Sequence, residues 1–120
     1  MTQLDHTSFL GRSLSTMIIL QALDSKGTQS GYSLLHLLKQ LSSDMINPKA
    51  GTLYPQIEKL HKEGYVDKTV EKSSSTTGKI REVAVYVINQ EGYKYLRELS
   101  QEWLILSEFI NQFIRGKLDE

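Results

Sequence analysis

The C-terminal quarter of the chain carries the pattern that most constrains its fold. Apolar side chains recur there at alternating intervals of three and four residues, from position 96 to position 113. This spacing puts them on one side of an α-helix, as the seam of a coiled coil. We therefore predict one long helix that begins after Asn89, its N-cap, and ends at about Arg115, with Gly116 as its stop. The seam consists of Leu96, Leu99, Trp103, Leu106, Ile110 and Phe113.

This seam is longer than a chain of 120 residues can cover with its own core. Further apolar side chains at positions 104, 105, 109 and 114 widen the stripe. A second copy of the chain is the simplest cover, so we expect residues 91–120 to form a dimerisation helix and the protein to be a homodimer. The alternative is a helix packed wholly on the core of its own chain.

The preceding residues predict three helices followed by a β-hairpin. The first helix covers Thr7 to Asp24, and its centre is apolar nearly all round, which predicts burial on more than one side. Ser30 can cap the second helix. The buried face of that helix is predicted to hold Leu34, Leu35, Leu38 and Leu41.

The third helix begins between Asn47 and Thr52 and stops at Gly64. Asn47 followed by Pro48 is typical of an N-cap and the first helical position. Pro55 complicates this start, because a proline cannot donate to the carbonyl four residues earlier. Either the helix begins at Thr52 or it is bent near Pro55.

Two segments rich in β-branched residues follow, and they predict a hairpin. The strands are expected over Tyr65–Lys72 and Lys79–Ile88, with a flexible turn at residues 73–78. Three helices and then a hairpin is the order of a winged helix-turn-helix. We therefore predict a mostly α fold with a small β-hairpin, with residues 1–90 forming a DNA-binding domain and the long helix following it.

In this architecture the third helix enters the major groove and the hairpin, the wing, meets flanking phosphates. Residues 47–81 hold seven bases and four acids, although the whole chain has no net charge. Near the start of the third helix, groups that reach base edges are expected at Lys49, Thr52, Tyr54, Gln56 and Lys59. In the wing, phosphate contacts are expected from Lys68, Lys72, Lys79 and Arg81. Tyr54 has a second interpretation, as a packing residue of the third helix.

Three motifs resemble those of the PadR family of transcriptional regulators. Residues 51–55 read Gly-Thr-Leu-Tyr-Pro and open a helix that ends at Gly64, residues 31–34 read Gly-Tyr-Ser-Leu, and residues 88–92 read Ile-Asn-Gln-Glu-Gly. The resemblance covers residues 10–115 and implies a homodimeric bacterial or archaeal repressor of a two-fold operator, whose last helix is exchanged across the dimer. It also implies DNA contacts at positions 49, 52, 54 and 59 and in a wing at 72–81. One departure is residues 83–87, where the family has a basic, aromatic run and only Tyr86 matches.

Trp103 is the only tryptophan and lies in the middle of the seam. Some drug-binding members of the family have a tryptophan at the matching place. We therefore consider a small planar, apolar ligand at the dimer interface, bound by Trp103, Leu14, Met17 and Ile18 and acting to relieve repression. The alternative is that Trp103 is simply a large anchor of the interface.

Other classes of function find little support in the residues. The chain has no cysteine, and its three histidines show no metal-ligand spacing, so no metal, cofactor or catalytic site is expected and the protein is not predicted to be an enzyme. No apolar run could cross a membrane, and no signal peptide precedes the first helix. We expect a cytoplasmic, nucleoid-associated protein with double-stranded DNA as partner. A structural or plasmid-partition DNA-binding protein, and an adaptor that has lost DNA binding, remain as alternatives.

Overall fold

The computed structural model describes residues 9–74 and 77–118 and contains four helices and a three-stranded antiparallel sheet. The elements in chain order are α1 (Phe9–Lys26), β1 (Gln29–Ser30), α2 (Gly31–Leu41), α3 (Ala50–Lys62), β2 (Val66–Ser74), β3 (Ile80–Ile88) and α4 (Gln90–Leu118). The predicted fold class, a winged helix-turn-helix with a long C-terminal helix, is confirmed. The start of the first helix predicted at Thr7 lies outside the described residues.

Helix α1 is buried on several sides, as its sequence predicts. It packs against α2, α4 and β3, and it contributes four buried side chains to the core. It ends at Gly27, whose φ of +80° is a left-handed conformation that glycine adopts without strain, and whose N–H donates to the Leu23 carbonyl at 2.9 Å. The core of the described residues consists of Ile19, Leu20, Ala22, Leu23, Leu34, Leu38, Leu53, Ile57, Leu60, Val66, Tyr86 and Leu96.

Helix α2 begins as predicted, with Ser30 as its N-cap. The Ser30 hydroxyl accepts from the Ser33 N–H at 3.0 Å, and the Ser33 hydroxyl accepts from the Ser30 N–H at 2.9 Å, which closes a capping box. Leu34 and Leu38 are buried, but Leu41, predicted on the same face, is 52% exposed because it lies in the last turn of the helix beyond the core.

The third helix begins within the predicted range of Asn47 to Thr52, but Asn47 and Pro48 are not its N-cap and first helical residue. Helix α3 begins at Ala50, with Lys49 as an N-cap that makes no side-chain capping hydrogen bond. Pro55 therefore lies inside the helix, where it leaves the Gly51 carbonyl without its usual intrahelical donor. The proline is tolerated inside the helix because Gly51 and Pro55 are both exposed to solvent, and water can donate the missing hydrogen bond to the Gly51 carbonyl.

The sheet has the order β1-β3-β2, and its first strand was not expected. Gln29 and Ser30, of which only Ser30 had a predicted role as a helix cap, pair with Tyr86 and Val85 of β3. Strands β2 and β3 pair in register from Val66 opposite Ile88 to Ser74 opposite Ile80. The first strand of the wing therefore begins one residue later and ends two residues later than predicted.

Helix α4 spans 29 residues, about 43 Å, and continues through Gly116, which the sequence had suggested as its stop. Its N-terminal part packs on α1 and inserts Leu96, which is 3% exposed, into the core. Its C-terminal part is largely exposed. The radius of gyration is 16.8 Å, whereas a compact domain of this length has about 14 Å. The last turns of α4 thus lie outside the core of their own chain.

The junction between the wing and α4 explains the Ile-Asn-Gln-Glu-Gly motif. The Asn89 side chain accepts from the Gly92 N–H at 2.9 Å and donates to the Gly64 carbonyl at 2.9 Å, so it caps α4 and ties it to the end of α3. A Cβ atom at Gly92 would lie 2.0 Å from the Tyr65 carbonyl oxygen. Only glycine allows α4 to start this close to the α3–β2 connection.

We predict that Gly92→Ala lowers the free energy of unfolding by at least about 2 kcal/mol, because the methyl group would meet a backbone atom that cannot rotate away. Urea denaturation followed by circular dichroism measures the change. Gly116→Ala is the matched control in the same helix, with open space around its Cβ position, and it should be neutral or stabilising by up to ~1 kcal/mol. Equal, small effects of the two substitutions would contradict the steric explanation.

Candidate nucleic-acid interface

Helix α3 separates a buried face from an exposed one. Leu53, Ile57 and Leu60 pack into the core at 1–4% exposure and fix the rotation of the helix. Thr52 and Lys59 lie on the exposed surface, as expected for residues that contact DNA. The helix therefore presents polar side chains outward over its first three turns.

The N-terminal end of α3 is electropositive. Its first turn holds no acidic residue, and the exposed Lys49 occupies the N-cap position. A cation at this end is unfavourable within the isolated chain, because the helix dipole already places partial positive charge there. A phosphate at this end would be attracted by both charges.

Tyr54 has the packing role that was considered for it, and part of its side chain is also exposed. Its ring lies over Gly31, where a Cβ atom would come within 2.8 Å of the ring, so the tyrosine packs against the start of α2. The side chain is nevertheless 38% exposed. Gly31 is thus the part of the Gly-Tyr-Ser-Leu motif that makes room for the Tyr54 ring.

Gln56, expected to read base edges, is directed into the protein instead. Its amide donates to the Ser15 hydroxyl at 2.7 Å and lies 3.5 Å from the Thr16 hydroxyl, both on α1. Ser15 is 5% exposed and itself donates to the Arg12 carbonyl at 3.1 Å. This hydrogen bond to α1 corrects the prediction for Gln56, because an amide turned toward DNA would give up its contact with the buried Ser15 hydroxyl.

A polar network that the sequence analysis missed fixes the wing beside α3. The Glu58 carboxylate accepts from the Lys68 ammonium at 2.7 Å and from the Tyr86 hydroxyl, so one α3 residue holds both long strands. The hydrogen bond from Lys68 and that from Tyr86 lower the pKa of Glu58 below its ordinary value of 4.5. Burial and the hydrogen bond to Glu58 raise the pKa of Tyr86. No local pattern in the sequence marked this network, because Glu58, Lys68 and Tyr86 lie on three different elements.

The cations of the wing are partly balanced by acids. Residues 66–82 hold four bases and three acids. Lys68 is paired with Glu58, and Lys72 lies directly opposite Glu82 in the register. Lys79, at the end of the turn, and Arg81 are exposed toward the tip. The wing therefore presents its positive charge mainly near that tip.

A cavity of about 140 Å³ lies between α1 and α4. Leu14, Met17 and Trp103, three of the four residues expected to bind a ligand, line it together with Ser13, Leu99, Glu102 and Leu106. Ile18 does not, because the turn of α1 directs it to a groove formed with Leu38 and Ile46. The predicted site for Ile18 is thus corrected.

The seam residues divide into three groups by exposure. Leu96 belongs to the core, Leu99, Trp103 and Ile110 are half-buried, and Leu106 and Phe113 are exposed. Leu96 is covered within its own chain because the first turns of α4 lie on α1. The remaining seam, from position 99 onward, is continuous with further exposed apolar side chains at Leu104, Ile105, Phe109 and Ile114.

A family comparison matches residues 19–98 to the transcriptional regulator PadR-like family. The chain belongs to the PadR-like family of transcriptional regulators. Regulators of this family are not enzymes, and the match favours gene regulation over the partition, architectural and adaptor functions. No match was found among curated proteins.

Solved structures of PadR-like regulators share the fold. A transcriptional regulator from Clostridium thermocellum is 27% identical, with a TM-score of 0.76 over 89% of this chain and 96% of that chain. A PadR-like regulator from Bacillus cereus is 24% identical and matches with a TM-score of 0.70, covering 91% of this chain and 99% of the other. Bacillus subtilis PadR in complex with operator DNA is 27% identical, with a TM-score of 0.58 over 77% of this chain and 47% of that chain.

Within residues 9–74 and 77–118 no helix is both long and apolar enough to span a membrane. In the same part of the chain no three histidine or acidic side chains come together as metal ligands would.

We predict that the Glu58 network makes stability depend on pH. Because the pKa of Glu58 is lowered by folding, its contribution is complete above the ordinary value of 4.5 and is lost as the pH falls through the lowered pKa. Glu58→Gln should therefore be less stable than the wild type at pH 7, and the difference should shrink as the pH falls below 4.5. Urea denaturation at a series of pH values measures it.

Lys68→Met provides the second variant for this prediction. It removes the largest cause of the lowered pKa, so it should also flatten the acid side of the stability profile. Parallel profiles for wild type and both variants would show that the network does not hold the wing to α3.

Proposed function

We propose that this PadR-like regulator binds a two-fold operator in duplex DNA as a homodimer and represses transcription. The observation that carries this proposal is the outward face of α3, which begins at Lys49 and continues through Thr52, Tyr54 and Lys59, with the wing held beside it by Glu58. The relative from Bacillus subtilis with this fold is in complex with operator DNA. Binding to a promoter operator would exclude the polymerase, which is the simplest route to repression.

The side chains of this interface have two different tasks. Thr52, Tyr54 and Lys59 project from α3 and would read base edges in the major groove. Lys72, Lys79 and Arg81 lie in the wing and would contact phosphates, which position the protein on any sequence. Gln56 has no part in this proposal, because its amide is bound to α1.

The dimer rests on the exposed apolar surface of α4. Ile105 is 74% exposed, Phe109 63% and Phe113 61%, and the last two rings stack at 6.2 Å. A contiguous apolar surface of this kind on a protomer marks an interface. A two-fold pairing through α4 would place the two copies of α3 in successive major grooves, about 34 Å apart.

We predict that Phe113→Asp converts the dimer to a monomer, because it buries a charge in the seam. Gln101→Asp is the matched control, because it introduces the same charge at an exposed position which, at 100° per residue, lies on the side of α4 opposite the seam. Sedimentation equilibrium should give one chain mass for Phe113→Asp and two for the wild type and the control. A wild-type mass of one chain would contradict the proposed dimer. A mass of two chains for Phe113→Asp would show that the dimer interface lies away from the seam.

We predict distinct effects of α3 and wing substitutions on DNA binding. Duplexes selected by the wild-type protein from a random pool serve as operators, with unrelated duplexes of equal length for comparison. Thr52→Ala should weaken operator binding about tenfold and unrelated binding little, because it removes a base contact worth about 1–3 kcal/mol. Arg81→Ala should weaken binding to the operator and to unrelated duplexes alike. It should also reduce the slope of the logarithm of affinity against the logarithm of salt concentration by about one.

Lys94→Ala, on the exposed side of α4, is the control for lost positive charge. Its operator affinity and salt slope should equal those of the wild type. The proposed interface is refuted if wild-type protein selects no sequence, or if Lys94→Ala weakens binding as much as Arg81→Ala.

A ligand that relieves repression would bind beside Trp103. The cavity of 140 Å³ is close to the ~150 Å³ that accepts benzene, so one protomer accommodates one aromatic ring. A planar compound with two rings would need the cavities of both protomers to join across the seam. Trp103 would contact such a compound through the face of its indole.

We predict that the neutral aromatic probe N-phenyl-1-naphthylamine quenches Trp103 fluorescence at micromolar concentration and weakens operator binding. Because it has three rings, it must bind across the joined cavities of both protomers. Leu14→Phe should fill the cavity and prevent probe binding while operator binding is kept. Binding of DNA must change probe affinity by the same factor as the probe changes DNA affinity. Unchanged fluorescence with this probe would leave Trp103 as an anchor of the interface.

A further inference from the structure

The first strand of the wing ends in hydroxyl side chains. Residues 73–77 read Ser-Ser-Ser-Thr-Thr, and Ser73 and Ser74 are the last two residues of β2. Both serines are exposed. The sheet order β1-β3-β2 makes β2 an outer strand, so within the described residues no strand pairs with its second edge. An enzyme that binds its substrate as an extended segment can therefore reach this end of β2.

The register places the two serines in different surroundings. Ser73 lies opposite Arg81, and Ser74 lies opposite Ile80. Side chains directly opposite each other in an antiparallel pair share one face of the sheet, with Cβ atoms about 4.5–5.5 Å apart. A group attached to Ser73 therefore meets a guanidinium, whereas the same group on Ser74 meets an apolar side chain.

Arg81 is available to such a group. Within residues 9–74 and 77–118 it forms no ion pair. Glu71 shares its face of the sheet, but the register places that carboxylate diagonal to Arg81, farther away than the directly opposite Ser73. A phosphate on Ser73 would be held close to the guanidinium and could accept two parallel hydrogen bonds from it.

The small net charge of the wing makes it sensitive to one added phosphate. Residues 66–82 carry four bases and three acids, a net charge of +1. A phosphate ester on serine adds a charge of about −2 at pH 7. One modification would therefore reverse the sign of the charge on the part of the protein that is proposed to meet DNA phosphates.

We propose that Ser73 is a phosphorylation site, and that its phosphate binds Arg81 across the wing and thereby releases the protein from DNA. The Ser73 hydroxyl oxygen forms a bond to the γ-phosphorus of ATP, and the bond from that phosphorus to the leaving ADP oxygen breaks. The hydroxyl proton passes to the base of a serine/threonine protein kinase. The release from DNA rests on the proposed function, whereas the modification and its ion pair with Arg81 do not.

Peptide mapping of the chain purified from its own cells, with phosphatase inhibitors present, tests whether the site is used. Cleavage by trypsin after Lys72 and Lys79 gives the peptide 73–79, and fragmentation of this peptide locates a phosphate. We expect the phosphate on Ser73. A phosphate only on another residue of the peptide, or a fully recovered peptide without phosphate in both growing and stationary cells, would overturn the proposed site.

A second experiment tests the ion pair without DNA. Phosphoserine is genetically encoded at position 73, and at position 74 as the matched control. Phosphorus NMR follows the second ionisation of the phosphate, whose pKa is ordinarily about 6. Arg81 should lower this pKa at position 73, because an opposite charge favours the dianion, and Arg81→Ala should raise it again. Glu71 is present in both proteins, so the comparison isolates Arg81.

The phosphate at position 74 should have the same pKa with and without Arg81. The ion pair is overturned if the pKa at position 73 is also insensitive to Arg81→Ala.

Binding to the selected operator and to an unrelated duplex of equal length measures the effect on function. Phosphoserine at position 73 should weaken both at least about tenfold, because a contact to a charged group is lost and a like charge is added. Arg81→Ala should weaken the unmodified chain but change the chain with phosphoserine at position 73 little. With phosphoserine at position 74 the two effects should add.

The failures of the two proposals can be distinguished. If phosphoserine at position 73 leaves both affinities unchanged while Arg81→Ala lowers them, release by phosphorylation is overturned and the proposed function is kept. If the unmodified chain binds no duplex, the proposed function fails, and peptide mapping and the NMR titration still decide whether Ser73 is modified and paired with Arg81.

Discussion

The burial of α1 decides where the other elements of this protein lie. A helix whose centre is apolar nearly all round must be covered there on more than one side, and α2, β3 and the first turns of α4 provide part of that cover. Toward α3 it offers the Ser15 hydroxyl to Gln56, and on another side it lines the cavity beside Trp103. The same helix thus touches both the element proposed to read DNA and the surface proposed to meet a second copy.

The contacts between elements explain how a chain with no net charge can bind DNA. The Glu58 carboxylate forms an ion pair with Lys68 and accepts a hydrogen bond from the Tyr86 hydroxyl, and these contacts hold the wing in place. Because its charge is balanced by Lys68, it repels a phosphate less than a free carboxylate would. The positive charge that remains is concentrated at two places, the start of α3 and the tip of the wing. Local distribution, more than net charge, then determines where a polyanion is attracted.

Much of the fold could be predicted from the sequence because its signals are local. The spacing of the seam predicts the long helix, Ser30 predicts the start of α2, and alternating β-branched residues predict the hairpin.

The features that were missed depend on distant partners. A two-residue strand at Gln29 exists only because β3 lies beside it, and Gln56 points inward only because Ser15 is buried opposite. The periodicity placed Leu96 on the correct face of α4, but it could not show that α1 covers this first position. Lys49 makes no capping hydrogen bond, so nothing local marked where α3 begins.

The central claim is that the apolar surface left exposed on α4 is buried by a second copy in the native state. The concentration dependence of thermal unfolding tests it most directly, because a dimer that unfolds to separate chains is stabilised by mass action. The account predicts that the unfolding midpoint of the wild-type chain rises steadily over about a hundredfold increase in protein concentration. A midpoint that stays constant over that range, with a single cooperative transition and one chain mass throughout, would contradict it.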